Sequence, residues 1–161
     1  MNFKTLSLVA ALLLVAGCAQ KGTEGANTSG AGSGAGTSSA ANSTAALTSQ
    51  LQQVGDRIYF AFDKSDITPE SRQILSKQAD LLKQNPSVTV TIEGHCDERG
   101  TREYNLGLGE RRANATKQAL VALGIAANRI NTISYGKERP AVLGHNEQAW
   151  AQNRRAVTVI Q

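Results

Sequence analysis

An apolar residue at every second position marks four short segments of the chain. They span residues 58–62, 88–92, 130–135 and 156–160. A period of two is typical of a strand with one buried face, so the pattern predicts four half-buried strands. In the first of them Ile58, Phe60 and Phe62 share a face, and Phe62 suits a pocket wall as well as the core.

Helical periodicity fills two of the intervals between these strands. Thr68 supplies a capping hydroxyl and Pro69 a first-turn proline, which predict a helix that runs to about Gln84. Asn105 is the predicted cap of a second helix, which runs to Leu123. The predicted core stripes are Ile74, Leu75, Ala79 and Leu82 in the first helix and Ala113, Thr116, Leu120 and Leu123 in the second.

A third and shorter helix is predicted near residues 147–152, after a long connecting segment. The predicted order is therefore β-α-β-α-β-α-β, in a domain that covers residues 51–161. Half-buried strands favour an α+β fold, with a four-stranded mixed sheet and helices packed on one face, over a doubly wound parallel sheet.

The N-terminus has a different pattern. Lys4 precedes an apolar run at residues 8–16 that is too short to span a bilayer, so residues 1–17 are predicted to be a secretion signal. Small residues followed by Cys18 resemble the bacterial lipobox, in which the cysteine becomes the first mature residue and carries lipid. The resemblance implies a lipidated Cys18, and Ala19 after it implies sorting to the outer membrane. The alternative is an ordinary signal that is cleaved near Ala19 and leaves Cys18 free.

A low-complexity segment follows the signal. Residues 21–49 are mainly Gly, Ala, Ser, Thr and Asn, with almost no charge and few large apolar side chains. Such a composition buries too little surface to offset the entropy of ordering. We therefore predict a lipidated cysteine and a flexible linker over residues 18–50, with a relaxed span of roughly 30 Å.

Composition limits the classes of partner and cofactor. The sequence pI is about 9.3 and the formal net charge is +4, which is too mild to indicate a partner. One Trp, three Tyr and three Phe are few for stacking on bases, so we predict no nucleic-acid binding. With Cys18 acylated, Cys96 has no intramolecular partner, and no disulfide framework is predicted. No cofactor and no metal site are predicted.

Charge is concentrated in residues 94–114, where both signs are interleaved. The His, Cys, Asp, Glu and Arg residues in this span are His95, Cys96, Asp97, Glu98, Arg99, Arg102, Glu103, Glu110, Arg111 and Arg112. Such a surface suits a ligand that carries both signs better than it suits a polyanion. The alternative is a solvated turn with incidental ion pairs.

Several separated motifs occur in the order found in OmpA-type peptidoglycan-binding domains. They are Phe62-Asp63-Lys64-Ser65-Asp66-Ile67, Glu93-Gly94-His95-Cys96-Asp97-Glu98-Arg99-Gly100-Thr101, Tyr104-Asn105-Leu106, Gly109-Glu110-Arg111-Arg112-Ala113, Ser134-Tyr135-Gly136 and Asn153-Arg154-Arg155. The resemblance covers about residues 58–160. With the lipobox and linker, the chain resembles the lipid-anchored members of this family in the Gram-negative envelope.

The resemblance implies a ligand and a set of residues that bind it. The ligand is the stem peptide of peptidoglycan, held at its meso-diaminopimelate residue, whose side chain ends in an ammonium and a carboxylate. By position, Asp97 matches the acid that meets the ammonium and Arg112 matches the base that meets the carboxylate. Arginine can hold a carboxylate through two parallel hydrogen bonds. The further pocket positions are matched by Phe62, Asp63, Arg99 and Leu108.

Other roles stay open for these residues. Asp97 can cap a turn through its backbone, and Arg112, one residue off the core stripe and expected at its boundary, can pair with a nearby Glu. Arg99 and Arg111 can be solvated or structural. Arg154 and Arg155 are expected to stabilise the fold or a partner surface.

The resemblance implies a protein that is not an enzyme and that tethers the outer membrane to the cell wall. It implies that the protein acts within the Tol system, which maintains the envelope and takes part in cell division. Its implied partners are peptidoglycan, a periplasmic propeller protein of the TolB type and the Tol complex. One alternative is a module that mainly binds proteins of that system. A second is a zinc-dependent cell-wall hydrolase built on His95, Cys96 and Asp97, although adjacent residues on an extended segment point in opposite directions.

Overall fold

The structure is a computed structural model that describes the backbone of residues 36–161 and the side chains from residue 43 onward. Four helices, four strands and one short 3-10 helix follow one another in this part of the chain. They are α1 Gly36–Val54, β1 Arg57–Tyr59, α2 Pro69–Gln84, β2 Val90–His95, α3 Arg102–Ala122, the 3-10 helix Ala127–Arg129, β3 Ile130–Gly136, α4 Glu147–Asn153 and β4 Arg155–Ile160. The predicted signal, Cys18 and the first part of the linker lie outside the described residues.

The sheet has the strand order β1-β4-β2-β3. Strand β4 pairs antiparallel with both β1 and β2, while β2 and β3 are parallel. The predicted fold class, α+β with a four-stranded mixed sheet, is confirmed. The core lies between the sheet and the helices, and its fully buried members include Ile58, Leu75, Ile92, Leu120 and Ile130.

The prediction of a flexible linker up to residue 50 is wrong from Gly36 onward, because α1 begins there. The sequence from Thr37 to Val54 has no Gly or Pro, and alanines favour a helix. Leu47, Leu51 and Val54 recur at helical spacing, and Leu51 is buried. Packing of this stripe, which a composition-based assignment ignores, stabilises the helix.

The first strand is shorter than predicted, and its early end shapes the site. Strand β1 ends at Tyr59, so Phe62 lies in the following loop with 57% of its surface exposed. Phe60 stays buried, and its amide donates to the carbonyl of Arg154. Of the two roles left open for Phe62, the structure shows the exposed wall position and not the core.

Helices α2 and α3 begin with threonine caps. Thr68 accepts from the amide of Ser71 at 3.2 Å, as the sequence predicts. The predicted cap Asn105 is wrong, because α3 begins one turn earlier, where Thr101 accepts from the amide of Tyr104 at 3.2 Å. A capping threonine fits this place because its side-chain oxygen satisfies an amide that the helix leaves free.

Two glycines bring α3 unusually close to β2. A Cβ atom on Gly94 would lie 1.9 Å from the carbonyl oxygen of Gly109. Only residues without side chains permit this approach. The contact places the middle of α3 beside the end of β2, and therefore brings Arg112 to the loop that begins at Cys96.

Candidate ligand-binding site

A cavity of about 160 Å³ opens where β2 ends and α3 begins. Its walls come from the loop after β1, the loop after β2 and the first three turns of α3. The lining residues are Phe62, Asp63, Cys96, Asp97, Arg99, Gly100, Tyr104, Asn105, Leu108 and Arg112. All six residues predicted to bind the ligand are among them, so the structure brings together groups that are up to fifty positions apart in sequence.

The carboxylate of Asp97 is buried and fully hydrogen-bonded. Its Oδ1 accepts from the backbone amide of Arg99 at 3.1 Å and from Arg99 Nε at 3.1 Å. Its Oδ2 accepts from Arg99 Nη2 at 2.6 Å and from Arg154 Nη1 at 3.3 Å. Burial by itself would raise the pKa of Asp97, but the hydrogen bonds from Arg99 and Arg154 outweigh it and hold the pKa below its usual value. The site therefore contains a fixed negative charge.

Arg99 supplies the matching positive charge in a rigid setting. Its guanidinium carbon lies 4.1 Å from the ring centre of Phe62 and 4.1 Å from that of Trp150. The cation is thus held between two aromatic faces, which attract it through their electron-rich centres. Arg99 lines the cavity and also has the structural role left open for it, because it pairs with Asp97; its contact with a ligand stays a prediction.

Arg112 is buried more deeply than the sequence predicts. The sequence predicts it at the boundary of the core stripe, facing the loop. It does face the loop after β1, but its exposed surface is 0%, so the boundary position is wrong. The close approach of α3 to β2 encloses it, and three backbone carbonyls accept its N–H groups: Lys64 O at 2.9 Å and Ala61 O at 3.2 Å in the loop after β1, and His95 O at 2.9 Å at the end of β2. Burial lowers the pKa of Arg112 from its usual value, while the charge of Asp97 acts in the opposite direction.

Asp63 forms the opposite wall with Tyr104. Its backbone φ is +57°, a value that non-glycine residues seldom adopt. The hydroxyl of Tyr104 donates to the carboxylate of Asp63, and this hydrogen bond raises the pKa of the tyrosine. Leu108 is buried and adds an apolar surface between the charged groups. The cavity thus offers acidic and basic groups around an apolar centre.

Arg154 supports the site from outside the cavity lining. It joins Asp97 to Glu147, whose Oε1 accepts from Arg154 Nη2 at 2.6 Å, and its Nε donates to the carbonyl of Phe60 at 3.0 Å, in line with the predicted role in the fold. The Asn153-Arg154-Arg155 motif indicates the residue but not its contact with Asp97. Arg155 points elsewhere, since it donates to the carbonyls of Asn153 and Arg139.

The three residues of the zinc alternative point apart. His95 is buried, and neither ring nitrogen forms a hydrogen bond; Nε2 lies 3.6 Å from Glu93 Oε2, and the ring lies 5.5 Å from that of Tyr135. The thiol of Cys96 donates to the carbonyl of Asn105 at 3.3 Å, while Asp97 faces the arginines. Within residues 43–161 no group of three or more His, Cys, Asp or Glu side chains is placed to hold a metal ion.

A model of the OmpA family matches residues 59–154. The chain therefore belongs to the OmpA family, and the resemblance stated from the sequence motifs is confirmed. Within that family it is similar to proteins named peptidoglycan-associated lipoprotein. The one from Brucella melitensis is 56% identical over 107 residues, which are 66% of this chain and 64% of that protein.

Two further relatives extend this similarity. The peptidoglycan-associated lipoprotein of Rhizobium meliloti is 46% identical over 153 residues, covering 92% of this chain and 82% of that protein. The crystal structure of the peptidoglycan-associated lipoprotein from Burkholderia pseudomallei has a TM-score of 0.64 and 44% identity. It covers 66% of this chain and 90% of the solved one.

Proposed function

We propose that this protein is an outer-membrane lipoprotein that binds peptidoglycan non-covalently, through the diaminopimelate residue of the stem peptide. One observation carries the proposal: Asp97 and Arg112, an acid and a base, line one cavity of about 160 Å³. The names of its relatives support peptidoglycan as the partner. The protein acts by binding and catalyses no reaction.

The chemistry of the ligand fits the cavity. Diaminopimelate ends in an ammonium and a carboxylate on one carbon, so a receptor needs an acceptor and a donor a few ångströms apart. The fixed negative charge of Asp97 attracts the ammonium, and Asp63, which lines the same cavity, assists it. Arg112 is assigned to the carboxylate. Its guanidinium has five N–H bonds, and three of them are donated to backbone carbonyls. We assign the other two, one on Nη1 and one on Nη2, to the ligand.

Anchoring at Cys18 completes the tether. Three acyl chains there hold the N-terminus in the outer membrane, because stable anchoring takes more than one chain. Helix α1, whose Leu51 packs against the rest of the domain, joins the linker to it. Of the helices that the structure describes, none combines the length and the apolar character needed to cross a bilayer.

A protein partner of the Tol system, of the TolB propeller type, is the second part of the proposal. The loop between β3 and α4 exposes 86% of Leu143, beside Val142. The side chain of Asn153 holds this loop by accepting from the amides of Ala141 and Val142 at 2.7 and 3.1 Å. An exposed apolar tip on a fixed loop favours contact with another protein. Through it, the lipoprotein links the wall to the complex that maintains the envelope during division.

Asp97→Asn weakens binding to purified sacculi by more than about tenfold, because a charge-assisted hydrogen bond contributes roughly 1.5–3 kcal/mol. The measurement is a pull-down with full-length protein, in which free diaminopimelate peptide displaces the wild type. The exposed Asp80→Asn is the matched control and binds as wild type does. Equal retention of Asp97→Asn and wild type rules out the assigned role of Asp97, and soluble muropeptides in the supernatant indicate a hydrolase.

A further inference from the structure

Helix α4 contributes no residue to the lining of the cavity, yet two of its side chains contact Arg99. The ring centre of Trp150 lies 4.1 Å from the guanidinium carbon, and Glu147 Oε2 lies 3.8 Å from Nη1. These two residues are three positions apart and therefore lie on the same face of the helix. Helix α4 therefore contacts the site through Arg99 and does not line the cavity.

Trp150 is itself held in place. Its indole Nε1 donates to Glu98 Oε1 at 2.9 Å, and the same carboxylate contacts His145 Nδ1 at 2.7 Å. Asn146 caps α4 by accepting from the amide of Ala149 at 2.9 Å. The indole plane is therefore fixed by groups that do not reach the cavity.

The stacked arginine fixes the carboxylate in turn. Phe62 covers the other side of Arg99 at 4.1 Å, so the guanidinium cannot tilt without leaving one ring. In this plane Arg99 donates Nε and Nη2 to the two oxygens of Asp97. A planar fork on a carboxylate defines the orientation of both partners.

We propose that Trp150 is a positioning residue of the ligand site: its ring holds Arg99 flat, and Arg99 holds the carboxylate of Asp97 toward the ligand. The inference rests on the proposed function for the identity of the ligand. Trp150 lies outside the sequence motifs around Asp97 and Arg112, so those motifs do not indicate its role.

Trp150→Leu weakens the affinity of full-length protein for a diaminopimelate stem peptide by about tenfold, since it removes one face of the cation–π stack. Trp150→Phe keeps a ring at that face and binds within about twofold of wild type. Calorimetric titration gives both affinities. Wild-type affinity in Trp150→Leu overturns the proposal, and so does a tenfold loss in Trp150→Phe, because the indole N–H would then be the essential group.

A second measurement needs no ligand and separates this inference from the proposed function. NMR titration follows the carboxyl group of Asp97. Its other charged or titratable neighbours are Arg154, which contacts it, and Arg112, Glu98 and Cys96. Wild type and Trp150→Phe keep the pKa of Asp97 below its usual value. Trp150→Leu raises this pKa, because the hydrogen bonds from Arg99 then oppose the effect of burial less strongly. If Trp150→Leu raises the pKa of Asp97 and the wild type binds no stem peptide, Trp150 positions Asp97 but the stem peptide is not the ligand. An unchanged pKa in Trp150→Leu overturns the positioning role.

Discussion

Arg112→Ala lowers the free energy of unfolding by about 3–5 kcal/mol, because it leaves three backbone carbonyls without a donor in a buried setting. The same change abolishes measurable binding of the stem peptide, since it removes the base that meets the carboxylate. Urea denaturation of the full-length protein gives the first effect, and calorimetry gives the second.

Arg111→Ala is the matched control at the next position. Arg111 is exposed, and its guanidinium lies 5.8 Å from the ring centre of Tyr104. Its loss changes the free energy of unfolding by no more than about 0.5 kcal/mol, as is usual for a surface position. Equal destabilisation by the two substitutions would contradict the role assigned to the carbonyl bonds of Arg112.

Acid destabilises the protein between about pH 6.5 and pH 4 through His95. Burial, and then the charge of Arg155, lower the pKa of this histidine to about 4. The unfolded chain has the ordinary value near 6.5, so it binds a proton in this range while the folded chain does not. Stability is therefore complete above pH 6.5 and falls by up to about 3 kcal/mol as the pH drops through the folded pKa.

His95→Phe removes the titrating ring and should flatten this part of the curve of unfolding free energy against pH. Phenylalanine also packs beside Tyr135 without the two unpaired nitrogens. His145→Gln is the control, because His145 is the chain's only other histidine and is exposed. A slope in His95→Phe equal to that of wild type would assign the acid sensitivity to another group.

Local pattern predicted most of the fold. Strand alternation and the Thr68-Pro69 helix start are short-range signals, and both are confirmed. Helix α1 was missed because its sequence is rich in small polar residues, and its order comes from the packing of Leu51 against the rest of the domain. Such packing is a long-range effect that composition does not report.

The residues of the site could be predicted from the sequence, but the contacts between them could not. Motif order indicated Asp97, Arg99 and Arg112, and the structure brings them to one cavity. The burial of Arg112 follows from the contact of Gly94 with Gly109, which pairs positions on separate elements. No local pattern contains that contact. The stacking of Trp150 on Arg99 was missed for the same reason, since fifty-one positions separate them.

We propose that this cavity recognises an ammonium and a carboxylate together. The affinities of the full-length protein for two stem peptides test this proposal. One peptide contains meso-diaminopimelate, and the other contains lysine, which keeps the ammonium and lacks the carboxylate. We expect at least about tenfold tighter binding of the diaminopimelate peptide, the scale of one charge-assisted hydrogen-bonded pair. Equal affinities for the two peptides would contradict it.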